Sequence, residues 1–238
     1  MYPKEIVFSQ ECDKDNYDFY IKSRGIGVYE DALRALLLYT DKCSIEYYDF
    51  MGFIRYDKSL RDILYKMLAV LEEFLKDNIF KKVEYIKNHS FKKISKDNID
   101  KFQMISDENY GWTLYRNLTL DFGSLLYLYD HFRIILPSKS KDFVGDLKNI
   151  KSLRNLVMHH HMLLIDQSKP ALNKYDIDQR VKELTQQIIS LYNILQPDYD
   201  KGLITGINKA NYDKDNDCIK SKYIYIEKLD GGFKNDII

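Results

Sequence analysis

Apolar residues return at three- and four-residue intervals along much of this chain. The pattern is clearest after Asp57, where Leu60, Leu64, Met67, Leu68, Leu71, Phe74 and Leu75 share one helical face. Asp57 is a residue type that caps helix starts, so it is read as the N-cap. Glu72 and Lys76 lie four apart in the favourable order for an ion pair along the helix. The helix is expected to reach about Lys87, to within ~2–4 residues.

Other stretches follow the same logic. Residues 1 to 28 are mixed, with Gly25 and Gly27 marking a break. A helix is predicted after Tyr29, where Glu30 and Asp31 suit the positive end of its dipole and Ala32, Leu33, Ala35, Leu36 and Leu37 are apolar. Ile45 to Phe53 reads as a short aromatic segment ended by Gly52. Residues 88 to 98 form a polar, Lys-rich connection, followed by a short helix over Ile99 to Ile105. Trp112 to Leu136 is strongly apolar, weakened at Gly123 and ended by Pro137-Ser138. A helix is expected over 142 to 165, burying Phe143, Leu147, Ile150, Leu153 and Val157. Asp176 to Leu195 reads as the last amphipathic helix, stopped before Pro197. The tail from Asp198 is polar as far as Lys222-Tyr223-Ile224-Tyr225-Ile226-Glu227, which reads as a strand or a partner-dependent segment. These elements predict an all-α helical bundle: one domain over 1–197, and a less ordered or short β-containing tail over 198–238.

Composition sharpens this picture. With only 10 Gly and 4 Pro in 238 residues, long helices are easy and tight-turn β architecture is not. The 36 Lys and Arg balance 36 Asp and Glu, which argues against unspecific coating of nucleic acid while leaving room for a local basic groove. Cys12, Cys43 and Cys218 are far apart and form no CxxC pair, so neither a disulfide framework nor a zinc site is expected. No signal sequence and no bilayer-length apolar run is read, and a cytoplasmic location is expected.

The chemistry concentrates in Leu153-Arg154-Asn155-Leu156-Val157-Met158-His159-His160-His161, which holds three of the five histidines. Arginine offers a fixed cationic fork for phosphate oxygens. Histidine exchanges protons near neutrality. On a regular helix, at about 100° per residue, Arg154 and His161 share a face while His159 and His160 fall to either side. Bringing Arg154 to His159 then requires a helix distortion, a long arginine reach or a second copy of the chain. Read structurally, the same residues are a helix surface with Arg154 in a salt bridge. Consecutive histidines point in different directions, so a metal site is not expected. Tyr47 and Tyr48 read as aromatic core, with stacking on RNA bases the alternative. The Lys81-Lys82 to Lys96 run reads as a solvated face rather than a phosphate contact.

Arg154-Asn155-x-x-x-His159 resembles the Arg-polar-four-to-six-His signature of the HEPN superfamily of helical ribonucleases. The surroundings are similar to its abortive-infection (Abi-like) branch, whose pattern reads Arg-Asn-x-x-Ala-His-His-x-Arg-Leu. Ile45-Glu46-Tyr47-Tyr48-Asp49-Phe50-Met51-Gly52-Phe53 resembles that branch's Tyr-Tyr-x-x-x-Gly-aromatic element. Tyr56-Asp57-Lys58-Ser59-Leu60-Arg61 resembles its Asp-x-x-Leu-Arg helix. Met158 stands where the branch has a small Ala, Met162 where it has Arg, and Asp49 where it has a basic residue.

The resemblance implies a HEPN-like bundle and a metal-independent endoribonuclease of the toxin or phage-defence type, with no cofactor. It implies catalytic roles for Arg154 and His159, and supporting roles for Asn155 and His160. RNA is the implied partner, as substrate and as a restraining RNA, with a homodimer sharing the site and neither DNA nor membrane involved. Two other readings stand beside it: an RNA-binding module without catalysis, and a protein-interaction subunit.

Overall fold

A computed structural model of the chain describes residues 4–24, 26–81, 121–131, 133–166, 172–212, 227–229 and 232–234. Among these the chain is all-α with a few short strands. In chain order they are β1 (Ile6–Val7), α1 (Glu11–Arg24), α2 (Ile26–Thr40), β2 (Ile45–Glu46), α3 (Tyr47–Lys81), α4 (Phe122–His131), α5 (Phe143–Met158), α6 (Asp176–Ile194), α7 (Tyr199–Tyr212), β3 (Glu227–Leu229) and β4 (Gly232–Lys234).

The backbone of the fold is α3, 35 residues long. Its predicted apolar face is the core: Leu60, Leu64, Leu68, Leu71 and Leu75 are all buried, while Met67 and Phe74 lie at its margin. The helix starts earlier than expected. Gly52 does not end the Ile45–Phe53 segment, and Asp57 is not an N-cap; both lie inside α3. A mid-helix glycine costs about 1 kcal/mol relative to alanine. Burial of Phe50, Met51, Phe53, Ile54 and Tyr56 around it outweighs that cost.

The N-terminal helices also differ from expectation. α2 begins at Ile26 rather than after Tyr29, and α1 lies in a stretch that reads as mixed. Tyr17 is the one α1 side chain buried among those described, so α1 carries almost no apolar rhythm to read. β1 pairs in parallel with β2, Ile6 with Ile45 and Val7 with Glu46, tying the N-terminus to the start of α3. Tyr47 belongs to this junction, with its ring stacked 5.4 Å from Phe8, whereas Tyr48 is exposed with the Arg55 guanidinium 5.5 Å from its ring. The expected helix over Ile99–Ile105, the residues from Trp112 to Leu120 and the strand reading of Lys222–Ile226 lie outside the described residues. So does Lys82–Lys96.

α5 lies along α6 and against α3 and α4. Its buried residues are Phe143, Leu147, Ile150, Leu153 and Val157, the predicted stripe. Its end is a correction, since the helix stops at Met158 and not near 165. α6 matches its expected span, but it is not the last helix. α7 occupies a stretch that reads as polar tail and packs on α3, burying Leu203, Ile207 and Ala210. Tyr56 on α3 donates to Asn211 Oδ1 at 2.9 Å. Beyond α7, β3 and β4 form an antiparallel pair. No helix among the described residues is long and apolar enough to cross a membrane.

Candidate functional site

The apolar stripe of α5 determines which way Arg154 faces. Leu153 is buried, and its neighbour Arg154 emerges at the edge of the core with its side chain 21% exposed. There it meets Glu72 of α3. Arg154 donates from Nε (3.3 Å) and Nη2 (3.1 Å) to the single oxygen Oε2 of Glu72. Lys76 donates to the other oxygen, Oε1, at 2.8 Å. One carboxylate is thus shared by two cations, and the trio keeps a net positive charge. The Arg154 guanidinium also lies 6.0 Å from the Phe122 ring. A guanidinium held along one edge has its remaining N–H groups aimed in a known direction.

The histidines stand past the end of α5. His159 caps the helix, its N–H donating to the Asn155 carbonyl at 3.0 Å. His160 has a φ of 58°, the left-handed conformation. Its N–H bonds the Val157 carbonyl at 3.2 Å, and the His161 N–H bonds the Leu156 carbonyl at 2.9 Å. These two bonds are the Schellman motif, which satisfies helix-end carbonyls and usually places glycine where His160 stands. The regular-helix phase therefore does not extend to His160 or His161. All three imidazoles are exposed, and the rings of His159 and His161 lie 6.3 Å apart. Asn155 is exposed on the preceding turn.

Directly after the histidines the chain dives back into the protein, with Met162, Leu163, Leu164 and Ile165 all buried. Buried backbone groups require partners, and side chains of distant helices supply them. Asp57 Oδ1 accepts from the N–H groups of Leu163 (2.7 Å) and Leu164 (3.0 Å). Arg61 lies 3.2 Å from Asp57 Oδ2 through one arm and donates through the other to the His160 carbonyl at 2.7 Å. Arg180 of α6 donates to the Leu163 carbonyl at 2.8 Å. Asp57 is fully buried. Burial pushes its pKa above the ordinary carboxylate value, against the pull of Arg61, the two N–H donors and Arg180.

A cleft of about 640 Å³ opens beside this segment, with Tyr29, Asp57, Arg61, Tyr65, His160 and Met162 among its walls. Neither Arg154 nor His159 lines it. Within one chain, then, Arg154 is engaged by Glu72 on one side, while His160 faces the cleft and His159 faces solvent. Among the described residues, no three His, Cys, Asp or Glu side chains converge as metal ligands.

Sequence reasoning does not bring Glu72, Asp57 or Arg61 to this site. Glu72 reads as half of a surface ion pair and Asp57 as a helix cap. The Glu72–Lys76 pair does form, but Glu72 also meets Arg154, 82 positions away, and Asp57 caps no helix and meets Leu163, 106 positions away. In comparisons with known proteins, no family model matches the chain, and no curated protein or solved structure matches it.

Proposed function

We propose that this chain is a metal-independent endoribonuclease of the abortive-infection type within the HEPN superfamily, with Arg154 and His159 as its catalytic pair across a homodimer. One observation carries the reading. The C-terminal part of α5 holds an arginine braced by a shared carboxylate, and three exposed imidazoles follow on the hydrogen-bonded segment past the helix end. Cationic fork and proton carriers thereby stand on adjoining stretches of one segment, and the exposed imidazoles are open to a polymeric substrate.

In this reading the 2′-hydroxyl of RNA attacks the adjacent phosphorus. His159 takes the hydroxyl proton as a new O–P bond forms, a role worth about 10²–10⁴-fold. Arg154 stabilises charge growing on the phosphoryl oxygens. The bond to the 5′-oxygen breaks, and a second imidazole, His160, returns a proton to that oxygen. The products are a 2′,3′-cyclic phosphate and a 5′-hydroxyl. Asn155 sits one position beyond Arg154 and orients the phosphate. The positive charge remaining on the Arg154–Glu72–Lys76 trio favours an anionic ligand. Because Arg154 turns to Glu72 while His159 stands in solvent past the helix end, the second subunit completes the site.

The test is cleavage of single-stranded RNA in EDTA with end-group analysis. We expect a cyclic phosphate product, and a loss of at least ~10²-fold in rate for Arg154→Ala and for His159→Ala with the fold retained. Mixing the two inactive variants is expected to restore part of the activity, since a mixed dimer holds one complete shared site. RNA binding without cleavage by the wild type would instead identify a binding module.

A further inference from the structure

Two residues that the catalytic proposal leaves unused bond to His160 and to the chain just after the histidines. We infer that Asp57 and Arg61, one turn apart on α3, are positioning residues that hold the His159–His161 segment in its working geometry. The inference rests on the ribonuclease reading for its kinetic consequence, but not for its structural one.

Histidines at the end of a helix have no rigidity of their own. The Schellman bonds hold them from the helix side. α5 itself ends at Met158, so order beyond it has to come from tertiary contacts. Asp57 supplies two of these, to Leu163 and Leu164, and Arg61 supplies one to His160 itself. The two side chains also lie 3.2 Å apart, so each restrains the other. The His160 carbonyl is the sensitive point. A left-handed, non-glycine residue persists only where its surroundings over-determine it, and Arg61 donates to that carbonyl at 2.7 Å.

The chemistry of the pair fits positioning better than stability. Asp57 is fully buried and Arg61 partly so, with side-chain exposures of 0% and 17%. Burying such a pair is a weak route to stability, since desolvation offsets the attraction. What the pair does supply is direction, because a planar fork and a carboxylate meet backbone groups at fixed angles. Asp57 faces Arg61 on α3, but it does not serve that helix alone. Both of its N–H partners belong to the segment after the histidines.

The experiment uses the full chain with two variants and a control. Asp57→Asn keeps the size and one acceptor but removes the charge facing Arg61. Arg61→Lys keeps the charge but loses the two-armed reach. Lys182→Ala alters an exposed residue of α6 outside the cleft walls as control. Ring resonances of the histidines, assigned by single substitutions, report the segment without reference to activity. We expect those of His159, His160 and His161 to shift or broaden in both variants and to stay put in the control, with a cooperative melt in each. In the cleavage assay we expect kcat to fall on the order of 10²-fold with KM nearly unchanged, the penalty of misplacing a reacting group by about an ångström.

If Asp57→Asn fails to fold, Arg61→Lys alone decides. Histidine resonances that superimpose on wild type in a folded Arg61→Lys overturn the inference, as does a rise in KM with kcat intact. A wild type that cleaves no RNA would sink the ribonuclease reading, while the resonances still judge the positioning.

Discussion

His160 shows what one residue can reveal. A side chain in the left-handed region costs roughly 1–2 kcal/mol, and glycine avoids that cost. The chain places an imidazole there, at the wall of a cleft and beside two more imidazoles. His160→Gly is therefore expected to raise stability by about 1 kcal/mol, read as a higher denaturation midpoint, while lowering RNA cleavage. A midpoint that falls instead would mean the imidazole is there for packing. Arg154 teaches the complementary lesson. Its type and position point to phosphate chemistry, but the partner that orients it, Glu72, is legible only as one end of a helix-surface pair with Lys76. That pair does form, at 2.8 Å, and the missing information is the third member.

At the scale of elements, burial decides what periodicity cannot. The stripes of α3, α5 and α6 are readable because an apolar residue every third or fourth position is a local signal. α1 and α7 are not, for different reasons. α1 buries almost nothing. α7 mixes its apolar Leu203, Ile207 and Ala210 with Gly202, Gly206 and polar residues, which reads as a tail. Its glycines have a use: a Cβ on Gly206 would lie 3.0 Å from Ile63 Cγ2, so glycine lets the two helices approach closely. Leu203→Ala is accordingly expected to destabilise the fold by about 2–5 kcal/mol, measured by denaturant titration. A change below about 0.5 kcal/mol, the size of an ordinary surface substitution, would show that α7 is dispensable.

Taken whole, the molecule ties its N-terminus to its core through tyrosines. β1, α1, α2 and α3 meet where Tyr17 and Tyr47 are buried beside Phe8 and Tyr29. Burial pushes the pKa of both Tyr17 and Tyr47 up to about 12. For Tyr17, Glu30 and Asp18 add to the rise; for Tyr47, Asp13 adds to it and Arg55 opposes. The sign follows from the unfolded chain, where tyrosine ionises near 10. Between that value and about 12 the unfolded state loses its proton first, so the stability present below pH 10 drains away as pH rises. The urea midpoint is expected to fall steeply above about pH 10, and Tyr17→Phe to blunt that fall. An equal slope in wild type and variant would count against the assignment.

What the amino-acid order determined alone was the helical class, the apolar faces of the longest helices, and the segment where arginine and histidine gather. Each depends on neighbours within a turn or two, where spacing dictates which side chains share a surface. Only the tertiary structure decided that Glu72 braces Arg154, that Arg61 reaches the His160 carbonyl, and that Asp57 reaches the chain beyond the histidines. Those are meetings between residues 82 to 107 positions apart, made when hydrophobic burial brings α3 against α5 and leaves polar groups to find partners in the closed interior.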